Sequence, residues 1–361
     1  MTQDAVSVDM RDHTMRRRRP LARLLGWLTG LPSEQQRPHW QRWTARALVT
    51  LIVAYFFLYG PGLRVWSSPP GFDKLANGTI AVYYQPGMTA EAELVAASTI
   101  EAERDVLAFW GRPSESGFDF PVDVYLCRSP RRYWHLTMNR GRGSASGNDL
   151  LIPASYPQAD RIGNIRHELA HLFVVHELGW LRSRLHTPSW LDEGIATSLQ
   201  GGEWSHRDAL ARLAARTREL APLTTTSSTL RWRGAVNGGG ERARVQYAYA
   251  RAFAEDLIDR FGRHAVLDFL IEATRRGDHL AAFAQAFGAP LEQKERQWID
   301  NATRRGLLPA DLELVDRGLP ADLLVKLAIL AAALLFSALW LTRQAGRFVR
   351  ATARLRLRTR R

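Results

Sequence analysis

The chain has 361 residues, 46% of them hydrophobic and 24% charged, which excludes a wholly disordered or collagen-like protein. Its single cysteine, Cys127, excludes an intrachain disulfide framework and any cysteine-only zinc site. The formal charge of +13 sits entirely in the two ends: residues 1–46 hold nine arginines against four acids, residues 343–361 hold eight against none, and the middle balances 32 basic with 32 acidic residues. A nucleic-acid-binding domain carries its basic surface on the folded part, so no nucleic-acid partner is expected.

Each basic end adjoins an apolar run. Residues 47–63 carry no charge and include Leu48, Leu51, Ile52, Phe56 and Phe57. Residues 327–342 are similar, with Ile329, Leu334, Phe336 and Leu339. A bilayer core takes about 20 apolar residues, and both runs reach that length if Arg46 and Lys326 snorkel to the interface. Trp43, Tyr59, Trp66 and Trp340 stand where interfacial aromatics belong. The alternative for each run is a buried core helix. The flanking arginines favour transmembrane helices at 47–63 and 323–342, with the basic tails 1–46 and 343–361 in the cytoplasm. No A-x-A site follows the first run, so it reads as an uncleaved anchor. Residues 65–320 then form an extracytoplasmic domain, and the lipid bilayer is an expected partner.

Within that domain, residues 78–84 (GTIAVYY) read as a strand and Thr89 to Trp110 as a helix with acids in its first turn. Phe118 to Cys127 alternates apolar and polar residues, the pattern of a half-buried strand. A glycine-rich turn over 141–147 leads to a short strand at 149–153. Helices are expected over 160–178, 189–199 and 205–220, and again over 247–261, 263–276 and 291–305. Residues 221–245, with TTTSST and then GGG, read as a loop free to move. Strands come first and helices follow, so the fold class is α+β.

The chemistry is concentrated in His167-Glu168-Leu169-Ala170-His171, an HExxH motif within the 160–178 helix. Residues four apart share a helical face, so both imidazoles can reach one metal ion. Glu168 lies between them in sequence, placed to polarise a water at the metal and shuttle its proton. A chain of this composition yields about 0.01 such motifs by chance. A catalytic zinc site needs a third protein ligand. His176 is five residues past His171, about 140° around the helix, and faces away. Glu193, in Trp190-Leu-Asp-Glu-Gly-Ile-Ala196, opens the next helix and can return opposite the histidines. Alone it would read as a first-turn carboxylate favoured by the helix dipole; after HExxH, the ligand role is favoured.

HELAH followed by PSWLDEGIA resembles the gluzincin metallopeptidases, and most closely the peptidase MA-like group. The resemblance extends from about Gly78 to Arg305, through Ala81 to Gly87 as an opening strand and Tyr249-Ala-Arg-Ala-Phe253 as the helix after the site. It implies a small N-terminal mixed sheet with helices, then a mainly helical part. It implies one Zn2+ per chain held by His167, His171 and Glu193, with Glu168 as general base. It implies Tyr249 as the oxyanion donor, with Tyr247 the alternative. It also places an edge strand for peptide substrate near Ser144 to Ile152, where a loop is the alternative. The family's acidic group one turn after the glutamate ligand is missing here, since that position is Thr197. The group that orients a zinc histidine must be Asp192, Thr197 or something elsewhere.

The expected function is a membrane-anchored zinc metallopeptidase acting on a peptide or protein. The alternative is a catalytically silent zinc-binding membrane scaffold or peptide-binding module, against which the intact Glu168 argues. An intramembrane protease is excluded because the motif helix is too polar to span a bilayer. Oligomeric state, and the choice between trimming ends and cutting internally, are not legible.

Overall fold

A computed structural model describes residues 39–315, apart from 68, 116, 139–140, 202–205, 217–218 and 237–239. The chain divides into two units, residues 1–70 and 71–361.

In the first unit, helix α1 (His39–Leu58) is followed by a 3-10 turn, Pro61–Val65. The amides of Tyr59 and Gly60 both donate to the Tyr55 carbonyl, closing the helix. Pro61 has no N–H with which to continue it. Gly62 lies so close to the Phe56 ring that a Cβ would come within 2.5 Å of it. This break corrects the first expected transmembrane helix. The uncharged helical stretch runs only from residue 47 to 58, a rise of about 18 Å against the roughly 30 Å of a bilayer core. No helix among the described residues is long and apolar enough to cross a membrane. The picture of a domain between two transmembrane helices, with a two-pass localisation and cytoplasmic termini, is therefore overturned. The second expected span, 323–342, and the tail 343–361 lie outside the described residues, as does nearly all of the tail 1–46.

The second unit is α+β, mostly helical, with a small mixed sheet. In chain order it contains β1 (Asp73–Asn77), β2 (Ile80–Tyr84), α2 (Thr89–Phe109), β3 (Val122–Cys127), α3 (Pro130–Thr137), β4 (Ser144–Ser146) and β5 (Asp149–Pro153). Then follow α4 (Gln158–Leu178), α5 (Trp180–His186), α6 (Ser189–Gln200), α7 (His206–Arg216) and β6 (Glu219–Leu220). The chain continues with α8 (Thr229–Val236), α9 (Gly240–Phe261), α10 (Arg263–Arg276), α11 (His279–Phe287), α12 (Leu291–Arg304) and β7 (Glu313–Leu314).

The sheet order is β1-β2-β3-β5-β4, parallel in the centre and antiparallel at both edges. The central strands are buried along nearly their whole length, β3 at every position but Asp123, so the strand expected to be half-buried over 118–127 is covered on both faces. Val82, Val124, Leu150 and Ile152 join the core with α2 and α4. On the other face Tyr83 and Tyr125, paired in register, stack with ring centroids 4.9 Å apart. Residues Gly147 and Asn148 connect β4 to β5, with Gly147 at φ 64° as a type II′ hairpin requires at its first central position.

Two helices set the site. Helix α4 buries Ile165, Leu169, Leu172 and Phe173. Helix α6 is fixed by Trp190, fully buried against Phe253 and Phe283. Gly194 lets α6 touch the backbone of α9: a Cβ there would come 2.6 Å from the Ala250 carbonyl oxygen. The expected loop over 221–245 is corrected. Residues 229–236 form α8, α9 begins at Gly240, and residues 237–239 lie outside the described residues. The Thr/Ser run satisfies itself locally, with Thr226 Oγ1 donating to the Pro222 carbonyl and Ser227 Oγ to that of Leu223.

Candidate metal centre

Helix α4 presents His167 and His171 one turn apart, and α6 returns Glu193 against them. The three facing atoms form a nearly equilateral triangle. His167 Nε2 and His171 Nε2 are 3.2 Å apart. Glu193 Oε2 lies 3.3 Å from the first and 3.4 Å from the second. Donors bound tetrahedrally at about 2.0–2.1 Å to one zinc ion stand about 3.3–3.4 Å from each other. The side chains are thus already spaced as ligands of one ion. Among the described residues, these three form the group of metal-binding side chains that could hold an ion.

The hydrogen bonding points the same way. Buried polar atoms normally find partners. Here His167 Nδ1 and Asp192 Oδ1 are buried without one, and Glu193 Oε2 meets only the two imidazoles. His171 Nδ1 donates to Asp192 Oδ2 at 2.9 Å. A carboxylate only accepts, so Nδ1 carries the hydrogen and Nε2 is the atom left for a metal. Of the three choices the sequence left open, Asp192 is the one that holds His171. Thr197 Oγ1 is buried and unpartnered.

The electrostatics favour positive charge between the two carboxylates. Burial would lower the pKa of His171, but Asp192 and Glu193 raise it well above the usual imidazole value. Burial would raise that of Glu193, but the two histidines hold it below the carboxylate range. Glu168 differs: burial raises its pKa, and the opposing pull of His167 and His171 does not cancel that.

Glu168 is boxed in by the loop before β4. A Cβ on Gly143 would come 2.7 Å from Glu168 Oε1 and 2.9 Å from its Cγ. Tyr133 on α3 donates its hydroxyl to the Gly143 carbonyl. Asn164, one turn before Glu168 on α4, donates its Nδ2 to the Arg142 carbonyl at 3.4 Å and accepts at Oδ1 from Gln200 Nε2 at 3.2 Å. Gly143 was legible only as part of a glycine-rich turn; the close approach of a carboxylate to its Cα is what demands it.

The two candidate tyrosines part company. Tyr249 is fully buried, donates its hydroxyl to Glu295 on α12, and packs on Trp298. It is not brought to the metal site. Tyr247 is, with its ring 6.4 Å from that of His167. Burial, then the charge of Glu193, raises its pKa. His176 faces away as expected: its ring stacks on Phe120, and its Nε2 meets Asn148 Oδ1 at 2.9 Å. His186 closes α5 beside Gly277. Cys127 is a buried thiol whose pKa burial pushes up to about 12.

Residues 144–146 do form an edge strand, antiparallel to β5. The two-residue hairpin makes Ser146 and Asp149 a hydrogen-bonded pair, so Ala145 is in the next, non-bonded pair and turns its N–H and C=O to the free edge. Arg184 Nη2 donates to that carbonyl at 3.1 Å.

No family model matches the chain, and no curated protein does. Among solved structures the chain is similar to yeast LTA4 hydrolase in complex with bestatin, at 14% identity and a TM-score of 0.35. The match covers 68% of this chain and 40% of that one, so this chain spans less than half that protein's length. At that similarity the likeness carries no argument about family or activity, and the functional reading rests on the site itself.

Proposed function

We propose that the chain is a zinc-dependent metallopeptidase. The observation that carries this is the triangle of His167 Nε2, His171 Nε2 and Glu193 Oε2, spaced for one tetrahedral ion, with the buried carboxylate of Glu168 beside it. Zinc, when bound, supplies Lewis acidity that acidifies water and polarises a carbonyl.

The chain's own residues do the rest. Asp192 holds the Nδ1 hydrogen of His171 and so aims Nε2 at the ion. Glu168 takes a proton from the attacking water as the new C–O bond forms. It then hands that proton to the amine nitrogen as the C–N bond breaks. Its burial favours the protonated form, which suits the second half of that exchange. Tyr247, whose ring lies 6.4 Å from that of His167, donates a hydrogen bond to the developing oxyanion. An extended peptide pairs with Ala145 on the free edge of β4, replacing Arg184 at its carbonyl.

The test is Glu168→Gln, assayed on a quenched-fluorescence peptide library and by elemental analysis of zinc. Hydrolysis is expected to fall by about 10²–10⁴-fold, the usual contribution of a general base, with one zinc per chain retained. Undiminished hydrolysis in the variant, or a native chain that binds no zinc, overturns the reading.

A further inference from the structure

An open cleft of about 490 Å³ lies between α3 and the end of β5. That is within the roughly 300–1,000 Å³ of ligand pockets. Pro130, Tyr133, Trp134, Pro153 and Tyr156 line it, with Arg131 also on the wall. None of these residues belongs to the metal triangle.

Three consecutive residues tie the cleft to Glu168. Gly141 lines it. The Arg142 guanidinium lies 5.5 Å from the centre of the Tyr156 ring and steadies that wall. Gly143 sits against the Glu168 carboxylate. Tyr133 bridges the same interval, since it forms a wall of the cleft and holds the Gly143 carbonyl. Two residues of chain extend at most about 7 Å, so the wall of the cleft at Gly141 and the Gly143 that touches Glu168 stand at the two ends of one short segment.

We propose that this cleft is a specificity subsite that takes an aromatic side chain of the substrate, an inference that rests on the peptidase reading. Three aromatic rings and two prolines make a wall that an incoming ring packs against edge-to-face or offset. Arg131 supplies a cation for its face. Trp134 is 38% exposed, so its ring has surface free to be covered.

Two measurements on the full chain test this. In the Glu168→Gln background, N-acetyl-4-fluorophenylalanine amide is titrated and followed by fluorine NMR, with N-acetyl-trifluoroalanine amide as control. Line broadening is expected for the aromatic probe alone, and Trp134→Ala or Tyr156→Ala should weaken it about tenfold. Separately, kcat/KM is compared for cleavable peptides that differ only by Phe or Ala near the scissile bond. Trp134→Ala should cut the Phe/Ala preference in kcat/KM about tenfold. Trp134-dependent binding without any cleavage supports the subsite and fails the peptidase. Cleavage and probe binding both indifferent to Trp134 and Tyr156 overturn the subsite and leave the peptidase standing.

Discussion

Glu168 on α4 and Glu295 on α12 are both buried carboxylates near a tyrosine, and burial raises the pKa of both. Their surroundings differ. Glu295 Oε1 accepts the Leu223 amide at 2.8 Å and the Tyr249 hydroxyl, so the group ties the 221–228 segment, α9 and α12 together. Around Glu168, Tyr133 gives its hydroxyl to Gly143 instead, and His167 Nδ1 and Asp192 Oδ1 are buried without a partner. Unpaired buried polar atoms are expensive, and they persist where something else is meant to occupy them. On the proposed reading, the pairing of the atoms around each carboxylate, rather than its burial, is what distinguishes Glu168 from Glu295.

That contrast can be broken most sharply at the two tyrosines. Tyr247→Phe is expected to lower kcat by about 10²–10³-fold, the cost of one oxyanion donor, with zinc retained. Tyr249→Phe should leave kcat alone and lower the melting temperature, because it strips a partner from Glu295. Steady-state kinetics and thermal melts of both variants decide it; the reverse pattern would undo the assignment. Next in size is Gly143→Ala. Its Cβ needs the space of the Glu168 carboxylate, and a misplacement near 1 Å costs about 10²-fold in kcat. Zinc content should be unchanged, so an inactive variant that has also lost its metal would argue against a purely positional effect. Asp192→Asn should weaken zinc by about 10–100-fold, read by competition against a chromogenic chelator. An unchanged affinity would mean that Asp192 does not orient His171.

How much of this was legible in the sequence follows from how local each feature is. His167 and His171 are set by helical spacing alone, and Glu193 by a short return of the chain. The choice between Tyr247 and Tyr249 is not local. They lie on nearly opposite faces of α9, and that helix buries Ala248, Tyr249, Ala250, Ala252 and Phe253 almost all round, so periodicity names no inward face. Only the position of α12 decides it. Strand β2 was readable from its β-branched and aromatic residues and β3 from alternation, though alternation wrongly implied an open face for β3. Helix α8 was not, because its polar approach of Thr and Ser looks like a loop until Ser228 Oγ accepts the Arg231 amide and Trp232 is buried. The apolar run at 47–63 misled for the opposite reason: its composition suits a bilayer, while Gly60 and Pro61 end the helix after Leu58.

The smallest expected effect sharpens the comparison from the structural side. Burial pushes the Glu295 carboxyl up to about 7, against the lowering pull of Tyr249 and the Leu223 amide. The folded protein therefore holds this proton more tightly than the unfolded chain, whose carboxyl titrates near its ordinary value of about 4.3. The resulting stability is fully present below that unfolded value and is lost as pH rises through about 7. Glu295→Gln keeps an oxygen that accepts from both partners and has no proton to lose. Wild type should then melt a few degrees lower at pH 8 than at pH 5.5 from this group, and the variant should show a flatter profile over that range. The quantity to read is the difference between the two profiles, because every other group is common to both proteins. Parallel profiles would show that Glu295 is ionised at pH 5.5 despite its burial. Its two hydrogen bonds would then outweigh desolvation, and the contrast with Glu168 would rest on the unpartnered atoms alone.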